Sequence, residues 1–233
     1  MKYYYDLHIH SVLSQDADPL MTPNNIFNMA MLKGLDIIAI TDHNHTGQLK
    51  VCEELAKSYD FLCVPGIELS LSEDFHVCVY FKTFNDAHAF NHQLEPWRNK
   101  TRYDETSDNG QYITDLEDHV IEHYPYALSL NLSLSLSNLC LILQKYHHIL
   151  VFAHVDRKKH SGLSYIREIT PHAIELSKHT DRDFIEENQL SDYIKLYNSD
   201  AHDLLMINER QEQSTMELES LTIEAFFRYF GHG

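Results

Sequence analysis

Asp6-Leu7-His8-Ile9-His10-Ser11 ends the first β-prone run of the chain, and its two imidazoles stand two residues apart. Side chains at that spacing leave a strand on one face, so His8 and His10 are expected to point the same way. Four later stretches have the same form: Thr41-Asp42-His43, Gly66-Ile67-Glu68, Phe152-Ala153-His154 and Asn198-Ser199-Asp200-Ala201-His202. Each closes an apolar segment, and Asp200 and His202 repeat the two-residue spacing. A barrel whose strands deliver these residues to one rim gathers them around a common centre. Such a centre suits several divalent ions and points to hydrolysis.

Outward from these stretches the chain alternates in character. Residues 3–9 are β-prone. Thr22-Pro23 has the form of an N-cap followed by Pro at the first helical position. A helix is expected over 23–33, stopped at Gly34. The near-continuous apolar run 35–40 is the pattern of a buried parallel strand. Helical spacing returns over 46–59, through Leu49, Cys52, Leu55 and Ala56. Strands are read at 61–69 and 76–81, a helix at 86–97, a polar loop at 99–110 and a helix at 113–124. Residues 128–136 alternate Leu with polar residues, a strand-like period that their Ser content and the helical pattern of 137–146 leave open. Strands follow at 149–153, 173–176 and 194–198, and helices at 181–188 and 222–230. This alternation predicts an α/β fold on a mostly parallel sheet or barrel. With 233 residues and neither repeat nor linker, one unit spanning 1–233 with an insertion around 99–137 is the simplest organisation.

The formal net charge is −17, which disfavours binding nucleic acid through a broad basic face. Three divalent ions would add about six positive charges in one cleft, so a small anionic substrate or one end of a nucleic acid strand stays open. Cys52, Cys63, Cys78 and Cys140 show no C-x-x-C spacing. With no leader signature ahead of the first motif, they read as reduced thiols of a cytoplasmic protein. The run 127–143 is too short and too interrupted by Ser and Asn to span a membrane. There is no P-loop and no G-x-G-x-x-G.

Imidazoles with carboxylates suit Zn, Mn or Fe, whereas magnesium prefers oxygen and water. Closely spaced ions need a bridging anion, and Glu68 is the candidate because one carboxylate can ligate two ions. Most of the remaining histidines divide into two sets. His88, His92, His119, His123, His147, His148 and His232 fall on expected helices or the tail and read as solvated or packed side chains. His45, His160, His172 and His179 lie nearer the motifs and are candidates for touching substrate.

These motifs together resemble the polymerase and histidinol phosphatase (PHP) superfamily of metal-dependent phosphoesterases. The resemblance rests on D-L-H-I-H-S at 6–11, I-T-D-H-N at 40–44, P-G-I-E at 65–68, A-H at 153–154 and N-S-D-A-H at 198–202. It implies a distorted seven-stranded β/α barrel, (β/α)7, with two or three divalent metal ions at the C-terminal ends of the strands. It further implies one ion on His8, His10, Glu68 and Asp200, and a second on Glu68, His76 and His154. A third, completing a trinuclear site, would lie on His43, His202 and Asp16, with Asp18 as the alternative loop ligand. Arg157, three residues beyond His154, is implied to contact the substrate phosphate, and its guanidinium suits bidentate binding. Lys178 and His179 are weaker substrate-contact candidates.

The activity expected is phosphoester hydrolysis by metal-activated water, with Glu68, Asp200 and Arg157 as the catalytic set. The substrate would be a phosphomonoester, a nucleotide or an oligonucleotide end. The alternatives are an amidohydrolase-type metal hydrolase of non-phosphate substrates and a non-catalytic metal-binding PHP module.

Overall fold

The computed structural model describes residues 1–104 and 110–231; His232 and the centre of the polar loop 99–110 lie outside them. In chain order the first half contains β1 (Lys2–Ile9), α1 (Pro23–Leu32), β2 (Ile37–Ile40), α2 (Leu49–Ala56), β3 (Leu62–Ser70), β4 (His76–Phe81) and α3 (Phe84–Leu94). The second half contains β5 (Tyr112–Thr114), β6 (Val120–His123), α4 (Leu136–Leu143), β7 (His148–Phe152), β8 (Ala173–Glu175), α5 (Arg182–Glu187), β9 (Lys195–Leu196), β10 (Thr215–Glu217) and α6 (Ile223–Tyr229). Eight of the strands form one curled sheet in the order β10-β1-β2-β3-β4-β7-β8-β9. Among the described residues no helix is long and apolar enough to cross a membrane.

The curl is nearly closed. Ile9, at the end of β1, bridges Ala201, beyond β9. There the His10 amide donates to the Ala201 carbonyl at 2.9 Å, and the Ala201 amide to that of His8 at 3.2 Å. Seven strands, β1 to β4 and β7 to β9, are thereby drawn into a distorted barrel. The strand β10 is an eighth, antiparallel to β1 at Lys2–Tyr4 and outside that ring.

One stave is reversed. β1, β2 and β3 run parallel, as do β7, β8 and β9, but β4 is antiparallel to both β3 and β7. The connection 71–75 is too short for a parallel crossover. It is instead a tight turn, with the Leu71 amide donating to the Phe75 carbonyl at 2.9 Å and Asp74 in the left-handed region at φ 62. The start of β4 therefore sits at the rim where the other staves end.

Alternation sorts the side chains into two cores. Val64, Cys78, Tyr80, Ile149, Val151, Ala173 and Leu196 fill the barrel interior with Tyr5 and Leu7, and Phe226, Phe227 and Phe230 from α6 join them. Their sequence neighbours Cys63, Val77, Val79, Leu150, Phe152 and Ile174 face outward onto the helices. Fully burying each such side chain contributes about 1.5–3 kcal/mol. The helices start where capping chemistry places them. Thr22, Thr83, Ser135 and Thr222 each accept from the amide three residues on.

One expectation changes and one open reading is resolved. Residues 113–124 are not a helix but the hairpin β5–β6, in which Tyr112 pairs with His123 and Ile113 with Glu122. The Asp115 carboxylate accepts from the amides of Glu117 and His119, and Asp118 takes φ 62. That local turn chemistry outcompetes a helix. His119 and His123 thus belong to a hairpin and His148 opens β7, rather than lying on helices. Residues 128–136 keep their period of two, with Leu128, Leu132, Leu134 and Leu136 buried, but they add no strand to the sheet. They run beside the end of β3, where the Leu132 amide donates to the Ser70 carbonyl at 2.8 Å and that of Ser72 to Leu134 at 3.0 Å.

Candidate metal centre

The inward parity of the staves carries polar residues to the rim. On β3 the inward set Val64, Gly66 continues to Glu68. On β4, read backwards, Tyr80 and Cys78 lead to His76. On β8, Ala173 leads to Glu175. On β1 the register shifts between Asp6 and Ile9, and His8 and His10 emerge with their Nε2 atoms 3.1 Å apart. His8, His10, His43, Glu68 and His154 are all buried.

Glu68 is the hub. Its Oε1 lies 3.3 Å from His8 Nε2, 3.1 Å from His76 Nδ1 and 3.4 Å from His154 Nε2. Its Oε2 lies 2.8 Å from His43 Nδ1 and 3.5 Å from His10 Nε2. Asp200 Oδ1 is 3.3 Å from His8 Nε2 and 3.2 Å from His10 Nε2. Asp16 Oδ2 stands 3.4 Å from His43 Nε2 and 3.2 Å from His202 Nε2. The carboxylate of Asp18 instead accepts from the Leu20 amide at 2.8 Å within its own turn. Among the described residues five sets of donor atoms cluster tightly: His8, His10 and Asp200; Glu68, His76 and His154; His10, His43 and His202; His8, Cys78 and Glu175; and, away from this rim, Asp115, Glu117 and His119.

These residues fit divalent ions. His43 Nδ1, Glu68 Oε2, His154 Nδ1 and His202 Nε2 are buried without a hydrogen-bond partner, a state that ordinarily costs stability unless another group satisfies it. His43 Nδ1 and Glu68 Oε2 are 2.8 Å apart yet not aligned to bond each other. The mixed N/O set suits Zn, Mn or Fe. Backbone strain collects here as well, with His154 at φ 31 and Asp200 at φ 52, at a cost on the order of 1–3 kcal/mol each.

The local field is set by these neighbours. Burial raises the Glu68 carboxyl, but His76, His8, His154 and His43 outweigh it and hold it well below the carboxylate range. Burial, then the charges of His202 and His43, push His10 down to about 3. Burial disfavours charge on His43 too, yet its contacts with Asp16 and Glu68 lift it to about 10. Anionic Glu68 and neutral His10 are the forms that can ligate.

A second layer holds the imidazoles. His8 Nδ1 meets Glu175 Oε2 at 2.9 Å, and the other Glu175 oxygen accepts from the His154 amide at 3.3 Å. Asn198 fixes Glu175 with a 2.8 Å bond. Asp42 accepts from the Ser14 hydroxyl, which in turn meets His10 Nδ1 at 3.0 Å. Carboxylates behind metal-binding imidazoles orient them and set the tautomer. Glu175 was not singled out from sequence because a lone Glu in Ala-Ile-Glu-Leu reads as strand. Its inward parity with Ala173 was the available signal.

A cleft of about 450 Å³ opens above the cluster, and Arg157, Lys159, His160 and Ser129 line it beside the candidate ligands Asp16, His43, Glu68, His76, His154, Asp200 and His202. Arg157 NH1 donates to Asp200 Oδ2 at 2.5 Å. Lys178 and His179 do not line it; their turn is tied to Asp156, which accepts from the Ser177 amide and the Thr180 hydroxyl. His45 accepts from the Gly47 amide and packs on Tyr124, and His172 accepts from the Leu150 amide. Of the four histidines near the motifs, His160 alone reaches the cleft. The larger hollow of about 540 Å³ around Tyr59 and Arg210 lies away from these residues.

No family model and no curated protein matches the sequence. Solved structures do. The lesion-specific endonuclease PfuEndoQ from Pyrococcus furiosus superposes with a TM-score of 0.74 at 21% identity, over 100% of this chain and 57% of that one. Endonuclease Q in complex with a 27-mer duplex bearing an abasic lesion at the active site gives 0.71 at 19% identity, over 100% and 57%. A two-domain protein from Bacteroides vulgatus, described as containing a predicted PHP-like metal-dependent phosphoesterase, gives 0.58 at 17% identity, over 99% and 62%. The chain has the PHP fold. It spans a little over half the length of the Endonuclease Q structures.

Proposed function

We propose that the chain is a metal-dependent phosphoesterase working on two or three divalent ions (Zn, Mn or Fe). The observation that carries this reading is Glu68, a buried carboxylate with five imidazoles within 3.5 Å and one buried oxygen unsatisfied. His8, His10, Glu68 and Asp200 would hold one ion; Glu68, His76 and His154 a second; His43, His202 and Asp16 a third. Bound ions of this kind lower the pKa of water from 15.7 toward about 7 and offset negative charge on a phosphoryl group.

The chain's own groups then have defined tasks. Glu68 bridges two cation positions. Glu175 and the Asp42–Ser14 pair hold His8 and His10 in orientation. Arg157, already against Asp200 at the cleft wall, offers a planar donor pair to the phosphate oxygens. The substrate is a phosphate ester, either a small phosphorylated molecule or one end of a nucleic acid strand. The four cysteines are free thiols, in keeping with a cytoplasmic setting, and 1–233 acts as one catalytic unit with its insertion around 99–137.

The test combines elemental analysis of the purified protein with phosphate release and ester cleavage across monoesters, diesters, amides and lactones. Two or more metal equivalents with turnover confined to phosphate esters is expected. Turnover of amides or lactones alone would transfer the chain to amidohydrolase chemistry. Bound metal without any turnover would make it a binding module.

A further inference from the structure

Immediately beyond His154 the chain runs Arg157-Lys158-Lys159-His160, three successive cations in a protein of net charge −17. Their placement is fixed by the backbone. His160 bridges Phe75 and takes φ 57. The His76 amide donates to the His160 carbonyl at 3.1 Å, and the Ser161 hydroxyl to the Val155 carbonyl at 2.6 Å. A Cβ on Gly162 would come within 2.6 Å of Phe75, so the loop lies flat on that ring and its cations point outward.

Arg157 is paired through NH1 with Asp200. Lys158 and Lys159 are exposed and make no ion pair among the described residues. They line a second polar hollow of about 450 Å³ with His160, Ser161, Glu73 and Asp74. Lys159 and His160 also line the metal cleft, so the two spaces adjoin. The two carboxylates of the hollow are engaged at its wall. Glu73 accepts from the Leu136 amide and the Ser72 hydroxyl; Asp74 accepts from Asn131 and faces His160 at 3.4 Å. The hollow thus sets two lysines without an ion pair against two carboxylates held at its wall.

The geometry points to a second anion subsite at Lys158 and Lys159, which takes a further phosphate of the substrate while the first lies over Glu68. This rests on the phosphoesterase reading and narrows it to substrates carrying two phosphate groups. Unpaired lysines on a rigid loop recognise phosphate as point charges without demanding one geometry.

The experiment compares wild type with K158A/K159A and with K158R/K159R. The substrates are bis(p-nitrophenyl) phosphate, with one phosphate; a 5′-phosphorylated thymidine dinucleotide, with two on a strand; and fructose 1,6-bisphosphate, with two on a small molecule. In the alanine variant kcat/KM for a two-phosphate substrate should fall about tenfold relative to the one-phosphate ester, mainly through KM, and the arginine variant should restore it. Added salt should weaken wild type more than the alanine variant. Which two-phosphate arm shows the loss identifies strand or small molecule. An unchanged ratio in both arms overturns the subsite. If no ester is turned over, calorimetric titration with the dinucleotide decides. Binding that the alanine variant loses keeps the subsite although the catalytic reading fails; binding that it retains, or none in wild type, rejects the subsite.

Discussion

Around Glu68 several buried nitrogen and oxygen atoms lack a hydrogen-bond partner, and single substitutions should separate the proposed roles. His8→Ala and Asp200→Ala each remove a donor from the same set. Both should abolish turnover and lower metal content by at least one equivalent; unchanged stoichiometry by mass spectrometric elemental analysis would refute the assignment. Glu175→Gln keeps the shape but removes the charge behind His8. Metal affinity should weaken about 10–100-fold while the circular dichroism spectrum is retained, read by competition with a chromophoric chelator. His45 tests the electrostatics outside the ligand set. Burial, then the charge of Arg98, lowers it to about 3, so the folded protein refuses a proton that the unfolded chain accepts below about 6.5. The unfolded state then binds more protons, and stability falls as pH drops from about 6.5 toward 3. Nitrogen-detected titration should show the His45 ring neutral at pH 5, and a ring that titrates near 6.5 would contradict its placement.

Among the elements, the staves were the most readable part of the sequence and the connections the least. Apolar runs ending in His, Asp or Glu announced β1, β2, β3, β7 and β9, because burial and ligand placement impose period two on the same residues. The reversal of β4 was not announced, since the pattern Val77-Cys78-Val79-Tyr80 is the same in either direction and only the 71–75 turn decides. The hairpin β5–β6 escaped because its outer strand is wholly exposed and offers no apolar face to count. Glu175 escaped for the opposite reason, sitting in an apolar context with nothing polar beside it. Packing between staves gives its own test. A Cβ on Gly66 would lie 2.8 Å from Thr41 Cγ2 and 3.1 Å from the Tyr80 ring. Gly66→Ala should cost about 1–3 kcal/mol and displace Glu68 two residues on, seen as a lower denaturation midpoint together with reduced metal content.

For the molecule as a whole, a cluster of acids and imidazoles held together against strain and repulsion is stabilised by what it binds. Ions that bind the folded chain alone add stability as RT ln(1 + [L]/Kd), about 2.7 kcal/mol at a hundredfold excess over Kd. Chelation should therefore lower the melting temperature, and Zn or Mn should restore it; a melting temperature indifferent to both would argue against the centre. The motif set was legible at this scale because five separate apolar segments each end in His, Asp or Glu. The closed ring was legible only through the family resemblance, because in the structure it depends on the bridge between Ile9 and Ala201.

That seam has a consequence for biosynthesis. His8 and His10 are made well before Asp200 and His202, which follow them by 190 residues or more. Every donor set that includes His8 or His10 with Asp200 or His202 is thus incomplete on a nascent chain until its last staves dock on its first. Under the proposed assignment those positions can be filled only once the segment after β9 has docked on β1, and the nascent polypeptide reaches that point with these imidazoles unclaimed.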